Sequence, residues 1–234
     1  MNFLLRILEK YEIFLNENSY NNLNKFIELI INYPVNLTAI KDVEEATKSL
    51  IVDSIYPFIK FTSLDSNSNF IDIGTGGGIP GIPLSILFPN INFTLLDSIE
   101  KKIKAVSYFT NNIKLYNVNP VCDRVENFSK NHLNSFDYAT AKAVSRSDVL
   151  LEYAAPLLKI NGTLFLYKGP SYKEERKYLK IAAKKIYFEI LDEFNYTLFE
   201  KDRYFIILKK IKETPSSFPR KIGMAIKKPL GGIQ

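Results

Sequence analysis

Apolar positions recur every three to four residues at the front of the chain. Phe3, Leu4, Ile7, Leu8, Tyr11, Phe14 and Leu15 fall on one helical face, and Leu23, Phe26, Ile27, Ile30 and Ile31 on another. The spacing predicts helix over residues 3–32, with Ser19 capping the second segment. The helix should stop at Tyr33, because Pro34 disfavours helical backbone in the residue before it. Asn36-Leu37-Thr38-Ala39-Ile40 reads as a turn, and Asp42 as the N-cap of a third helix from Val43 to about Ile59. Residues 1–62 are therefore expected to form an N-terminal helical subdomain, followed by a polar turn over 63–69.

The pattern then changes to short apolar runs alternating with helical ones. Strands are predicted near 70–74, 93–97, 119–122, 136–142, 163–168, 188–195 and 203–210, and helices near 80–88, 99–112, 146–158 and 171–185. Strands separated by helices of this length form right-handed βαβ units on a mostly parallel sheet. The last two strands have only a short loop between them, so they should pair antiparallel at one edge. This unit spans 63–211. In the tail, 212–234, Pro215, Pro219 and Pro229 argue against regular structure.

One stretch breaks the pattern. Phe70-Ile71-Asp72-Ile73 runs into Gly74-Thr75-Gly76-Gly77-Gly78-Ile79-Pro80-Gly81, which holds five of the chain's ten glycines. Glycine admits positive φ and lets a ligand approach without a Cβ in the way. About twenty residues on, Phe93-Thr94-Leu95-Leu96 ends in Asp97, the place where an acid accepts hydrogen bonds from ribose hydroxyls in nucleotide sites. The preceding acid, Asp72, either orients the loop or meets a cationic amino group, and a pyrophosphate would not want it nearby. S-adenosylmethionine carries an ammonium, a sulfonium and no phosphate. The loop, the acid before it and the spaced second acid together resemble motif I of class I methyltransferases. Asp97 also reads as a cap for the helix that follows.

Charge and composition narrow the partners. The net charge is +6, and the pI of about 9.1 makes an acidic partner plausible. The tail carries five basic residues and one acid, a net +4, so only +2 remains for everything before it. A single cysteine, Cys122, excludes an intrachain disulfide, fits a reducing, cytoplasmic setting and reads as a small core residue. One histidine, His132, sits in an expected surface loop and argues against a His-based triad or a zinc site; no metal is expected. No run approaches the roughly 18 apolar residues of a membrane span. The front segment has acids at Glu9 and Glu12 and no cleavage pattern, unlike a signal peptide.

Acceptor chemistry is constrained by what is missing. The Asn/Asp-Pro-Pro-Tyr/Phe motif of adenine amino-group enzymes is replaced by Ala141-Lys142-Ala143-Val144, and Cys122 lies in the wrong place for a cytosine nucleophile. No general base stands out. An acceptor that needs no deprotonation, such as guanine N7, suits such a site, where approach and orientation do the work. A neutral-to-acidic acceptor pocket would tolerate the positive charge left on the methylated base.

Several pieces occur in the order found in one family: Asn36-Leu37-Thr38, Asp53-Ser54, residues 70–84 with the run Gly78-Ile79-Pro80-Gly81-Ile82-Pro83-Leu84, Leu95-Leu96-Asp97-Ser98, Arg124-Val125-Glu126, Lys168-Gly169 and Phe218-Pro219-Arg220-Lys221. Across nearly its whole length the chain resembles the bacterial ribosomal RNA small-subunit methyltransferase G family, also called glucose-inhibited division protein B. The resemblance implies an α/β, class I Rossmann-like, S-adenosylmethionine-dependent methyltransferase fold with a seven-stranded, mostly parallel sheet. It implies methylation at N7 of one guanine in a conserved 16S rRNA loop near the decoding site, on naked rRNA, the small subunit or an assembly intermediate. The alternative is a class I enzyme acting on a small molecule or a protein.

The implied cofactor contacts are Asp72, Gly74, Thr75, Gly76, Gly78, Ile79 and Asp97. Val125 and Glu126 match the piece against adenine, and Lys142 the basic residue near the active centre. Two departures stand out: Ser49-Leu50 where the family often has Arg-His, and Ala141-Lys142-Ala143 where it has Ser-Arg-Ala. Lysine keeps the charge but loses the planar fork. For RNA, the candidates are Lys142, Arg146, Lys168, Lys173, Arg220, Lys221, Lys227 and Lys228 on phosphates, with Tyr172 and Phe218 stacking on a splayed base. Loss of residues 212–234 should then weaken rRNA methylation more than cofactor affinity.

Overall fold

A computed structural model describes residues 3–35 and 37–232. Asn36, part of one family piece, and the last two residues of the tail lie outside the described residues. Two helices open the chain, α1 (Phe3–Lys10) and α2 (Glu17–Asn32). The cap of α2 is Asn16, not Ser19: its side chain accepts the Ser19 N–H at 2.8 Å, and Ser19 lies inside the first turn. Asp42 does cap the next helix, accepting the Glu45 N–H at 2.8 Å. That third run is not one regular helix. It goes from α3 (Val43–Ala46) through a π-helical turn over Thr47–Val52 into α4 (Asp53–Phe61). The wider turn places Asp53 and Ser54 where the family piece falls, and such turns concentrate at functional sites.

Then come β1 (Asn69–Ile73), α5 (Gly81–Leu87), β2 (Asn92–Asp97), α6 (Glu100–Ile113), β3 (Val118–Cys122), α7 (Val125–Asn131), β4 (Phe136–Lys142), α8 (Ser147–Ala154), β5 (Leu158–Lys168), α9 (Tyr172–Lys185), β6 (Phe188–Leu198) and β7 (Lys201–Lys210). The sheet order is β3-β2-β1-β4-β5-β7-β6, parallel except at β7, which pairs antiparallel with both β5 and β6. Helix α7 was not foreseen; seven residues are too few to show a periodicity. Strand β5 starts five residues early, across the turn-like Asn161-Gly162, where the pairing with β4 shifts register. Cys122 is exposed rather than in the core, because β3 is an edge strand.

Both faces of the sheet are buried, as a parallel sheet requires. On one face, rings from four strands lie side by side: Phe93, Phe70, Phe165 and Phe205. Phe58 of α4 packs on the last three at 4.8–5.8 Å. The front helices thus share one apolar core with that face. Helices α8 and α9 cover the other. The tail is not free of structure. It contains a one-turn helix, α10 (Met224–Lys227), entered through Gly223 at φ +77°.

Candidate active site

Strand β1 ends level with β2 in the register Ile73↔Leu96. Beyond it the Gly74 and Thr75 N–H groups both donate to the Leu96 carbonyl, at 2.8 and 2.9 Å. Two acids then fix the glycine loop. Asp72 Oδ2 accepts the Gly81 N–H at 2.9 Å, and Asp97 Oδ2 accepts the Gly76 N–H at 3.0 Å. Gly74, Gly76 and Gly78 all have positive φ. A Cβ on Gly81 would lie 2.2 Å from Leu95, so this position must be bare for α5 to sit on β2.

Asp72 is fully buried. Of the two roles open to it, the structure shows the first: it orients the loop. Burial pushes its pKa up to about 7, restrained by the nearby Thr75 hydroxyl and the Gly81 amide. Among the described residues, Asp72 Oδ1 and Thr75 Oγ1 are nevertheless buried without a partner in hydrogen-bond geometry. Asp97 makes a second bond, from the Ile99 N–H to Oδ1 at 3.0 Å, and has Lys102 Nζ at 3.5 Å. It braces the turn into α6, whose N-cap is Ile99, two residues later than expected. A carboxylate has lone pairs to spare after two such bonds.

A cavity of about 310 Å³ opens where the strand order reverses between β1 and β4, the place where ligands bind in such sheets. Of the residues expected to touch the cofactor, Gly74, Asp97, Val125 and Glu126 line it. Asp72, Thr75, Gly76, Gly78 and Ile79 shape the loop without lining the cavity. Gly78 serves packing instead: a Cβ there would fall 2.4 Å from Ile82. Among charged residues the wall has three acids, Asp97, Asp123 and Glu126, and two bases, Lys102 and Arg124. That balance suits a cationic nucleoside better than a pyrophosphate.

A family model described as "rRNA small subunit methyltransferase G" matches residues 19–204. The chain belongs to the rRNA small subunit methyltransferase G family. It is 46% identical over 215 residues to "Ribosomal RNA small subunit methyltransferase G" of Petrotoga mobilis, covering 91% of this chain and 96% of that one. The protein of the same name from Thermotoga neapolitana is 35% identical over 231 residues, 98% of this chain and 100% of the relative. Among solved structures, M. jannaschii TYW2 in complex with AdoMet aligns with a TM-score of 0.54 at 16% identity, over 68% of this chain and 77% of that one. Aeropyrum pernix fibrillarin with natively bound S-adenosyl-L-methionine aligns with 0.53 at 12%, over 67% and 73%. Those two establish the fold: a class I methyltransferase fold. As a member of the methyltransferase G family, the chain is a methyltransferase.

Elsewhere the chain departs from expectation. Lys142 does not line the cavity. Its Nζ meets Asp53 at 2.9 Å, the Ser49 carbonyl at 3.1 Å and Ser54 Oγ at 3.2 Å, on the wall of a neighbouring cavity. Arg203 of β7 holds the other oxygen of Asp53 at 2.7 Å. The two cations outweigh burial and keep the Asp53 carboxyl below the usual range. Arg203 was missed: a basic residue in an edge hairpin reads as a solvated charge, and 150 positions separate it from Asp53.

Most of the expected RNA contacts are already committed inside the protein. Lys168 pairs with Glu175 at 2.7 Å, Arg146 with Asp148 at 2.7 Å, and Arg220 with Glu152 through both carboxylate oxygens. Tyr172 is buried, its hydroxyl bonded to Glu193, so its ring cannot stack on a base. Phe218 packs against the core under α8 and α9. Lys173, Lys221, Lys227 and Lys228 remain exposed. The tail itself adds a residue to the site. The Gly223 N–H donates to Glu126 Oε1 at 2.9 Å, and the following turn brings Ile226 onto the cavity wall. Only the folded tail reveals this; Ile226 has no partner in sequence pattern.

Proposed function

We propose that this protein transfers a methyl group from S-adenosylmethionine to N7 of one guanine in 16S rRNA, in the cytoplasm, on naked rRNA, the small subunit or one of its assembly intermediates. The carrying observation is the cavity at the β1–β4 switch, with Asp97 on its wall, in a chain of this family. Asp97 would accept from the ribose hydroxyls, Val125 and Glu126 would flank the adenine, and the loop from Gly74 would hold the methionine end. Bound there, S-adenosylmethionine supplies a methyl group made electrophilic by the sulfonium.

The chain's own residues have little proton chemistry to do. Guanine N7 has a free lone pair at neutral pH, and no proton leaves it on methylation. The only histidine is not poised to act as a base: His132 stacks on Phe128 at 3.8 Å and its Nδ1 lies 2.8 Å from the Phe128 carbonyl. Rate enhancement is then positioning and exclusion of water, with the loop held rigid by Asp72 and Asp97. No helix among the described residues is long and apolar enough to cross a membrane.

The test is label transfer from S-adenosylmethionine to naked 16S rRNA and to small subunits, followed by mapping. Label on one guanine, at N7, is expected. Label on protein or small molecules only would favour the other acceptor classes, and binding of a nicotinamide cofactor without any transfer would overturn the reading.

A further inference from the structure

In-line transfer requires the acceptor to reach the donor from an adjoining space. Two cavities border the donor cavity. One shares Val125, Glu126 and Tyr153 with it but has a volume of only about 10 Å³, too small for a base. The other shares Ala143 and encloses about 270 Å³ at the carboxyl ends of β4 and β5. Ala143 stands at φ +58°, a strained conformation for a residue with a side chain. The chain turns there, so that Lys142 faces one cavity and Val144 the other.

The second cavity has the chemistry of a nucleobase site. Tyr167, Tyr196 and Tyr204 supply ring surface. Its floor is rigid: Asp53 holds Lys142 and Arg203, and the Tyr167 hydroxyl bonds to the Ser54 carbonyl. All three Lys142 N–H groups are used by Asp53, Ser49 and Ser54. Arg203 spends Nε on Asp53 and Nη1 on the Asp202 carbonyl. Its Nη2 edge has no partner among the described residues, leaving N–H donors for a carbonyl acceptor such as guanine O6, where adenine carries an amino group. The lining has three cations to one acid, not the neutral-to-acidic balance expected. A further cavity, of about 430 Å³, continues past Asp53 and Arg203 to Lys10, Lys48 and Lys201, giving the flanking phosphates an exit.

We propose that the cavity between Ala143, Gly169, Tyr196 and Arg203 is the acceptor-nucleobase site, which takes a guanine turned out of its RNA strand. This rests on the reading of the first cavity as the donor site. The test is to fill it. A Cβ on Gly169 meets nothing within 4 Å, and Ser171 is exposed on the same wall. Gly169→Trp and, as a second plug, Ser171→Trp should each cut label transfer to 16S rRNA by about 100-fold or more. S-adenosylhomocysteine affinity by calorimetry should stay within about twofold, and the thermal midpoint should hold. Transfer at the wild-type rate in both plugged variants, or equal loss of S-adenosylhomocysteine binding, would overturn the assignment. A wild-type enzyme that binds S-adenosylhomocysteine but labels no rRNA would overturn the functional reading instead.

Discussion

Asp72 sits where a charge is hardest to keep. Its folded-state pKa of about 7 lies above the ordinary 3.8. Between these values the native protein holds a proton that the unfolded chain has released, so stability falls as pH rises through that window, by at most about 1.4 kcal/mol per unit. Asp53 and Glu175 have lowered values, so their contribution is lost only as pH drops below the ordinary carboxylate range. The ligand-free protein should therefore melt at higher temperature at pH 5 than at pH 7.5, and Asp72→Asn should flatten that difference; equal slopes for both would refute the assignment to Asp72. The loop glycines can be ranked in the same way. At Gly76 a Cβ meets only its own left-handed backbone, and Gly76→Ala should cost about 1 kcal/mol. At Gly78 the methyl group also strikes Ile82, and Gly78→Ala should cost about 2–4 kcal/mol in urea unfolding. Sequence marked these glycines as a group; only the packing separates those that shape the cavity from those that let a helix approach.

At the scale of elements, the tail is the segment whose role changed most. It is tied down by three buried acids: Glu126 takes the Gly223 N–H, Glu152 takes Arg220, and Asp148 takes the Gly231 N–H at 3.0 Å. Removing 212–234 strands Glu126 and Glu152, leaves Asp148 to Arg146 alone and opens the cavity that Ile226 walls, so cofactor affinity and stability should fall along with rRNA methylation. Point variants separate the roles. Ile226 is 65% exposed, so Ile226→Ser should leave the thermal midpoint unchanged while weakening S-adenosylhomocysteine binding about three- to tenfold. The triple change of Lys221, Lys227 and Lys228 to Ala should do the opposite: cofactor affinity holds, and the salt dependence of rRNA binding loses about 2 units of log–log slope. Prolines and basic residues made this segment look like a loose RNA arm, because its anchoring partners lie on α7 and α8, far away in sequence.

For the whole molecule, Asp53 is the joint. It lies at the start of α4, and its partners come from the end of β4 and from β7. Asp53→Ala would leave Lys142 in a nearly closed setting without a counter-charge, a loss of about 3 kcal/mol in chemical unfolding, with rRNA methylation falling before donor binding does. A second buried cation, Lys210, donates to Asn134 and to the Ala155 and Leu158 carbonyls and so ties the terminal hairpin to the end of α8. What the sequence determined by itself was local or periodic: the alternation of strands and helices, hence the parallel sheet, the glycine turn after β1 and the spaced acid that ends β2. Each follows from backbone geometry within a few residues or from one repeat of the βαβ unit. Which basic residues face outward, which acids they satisfy, that Ile226 walls the cavity at the β1–β4 switch and that Lys142 faces a second cavity were decided by the tertiary structure. Burial and charge pairing join positions 150 residues apart and more, and nothing in the order of side chains along the chain encodes which charge will find which partner.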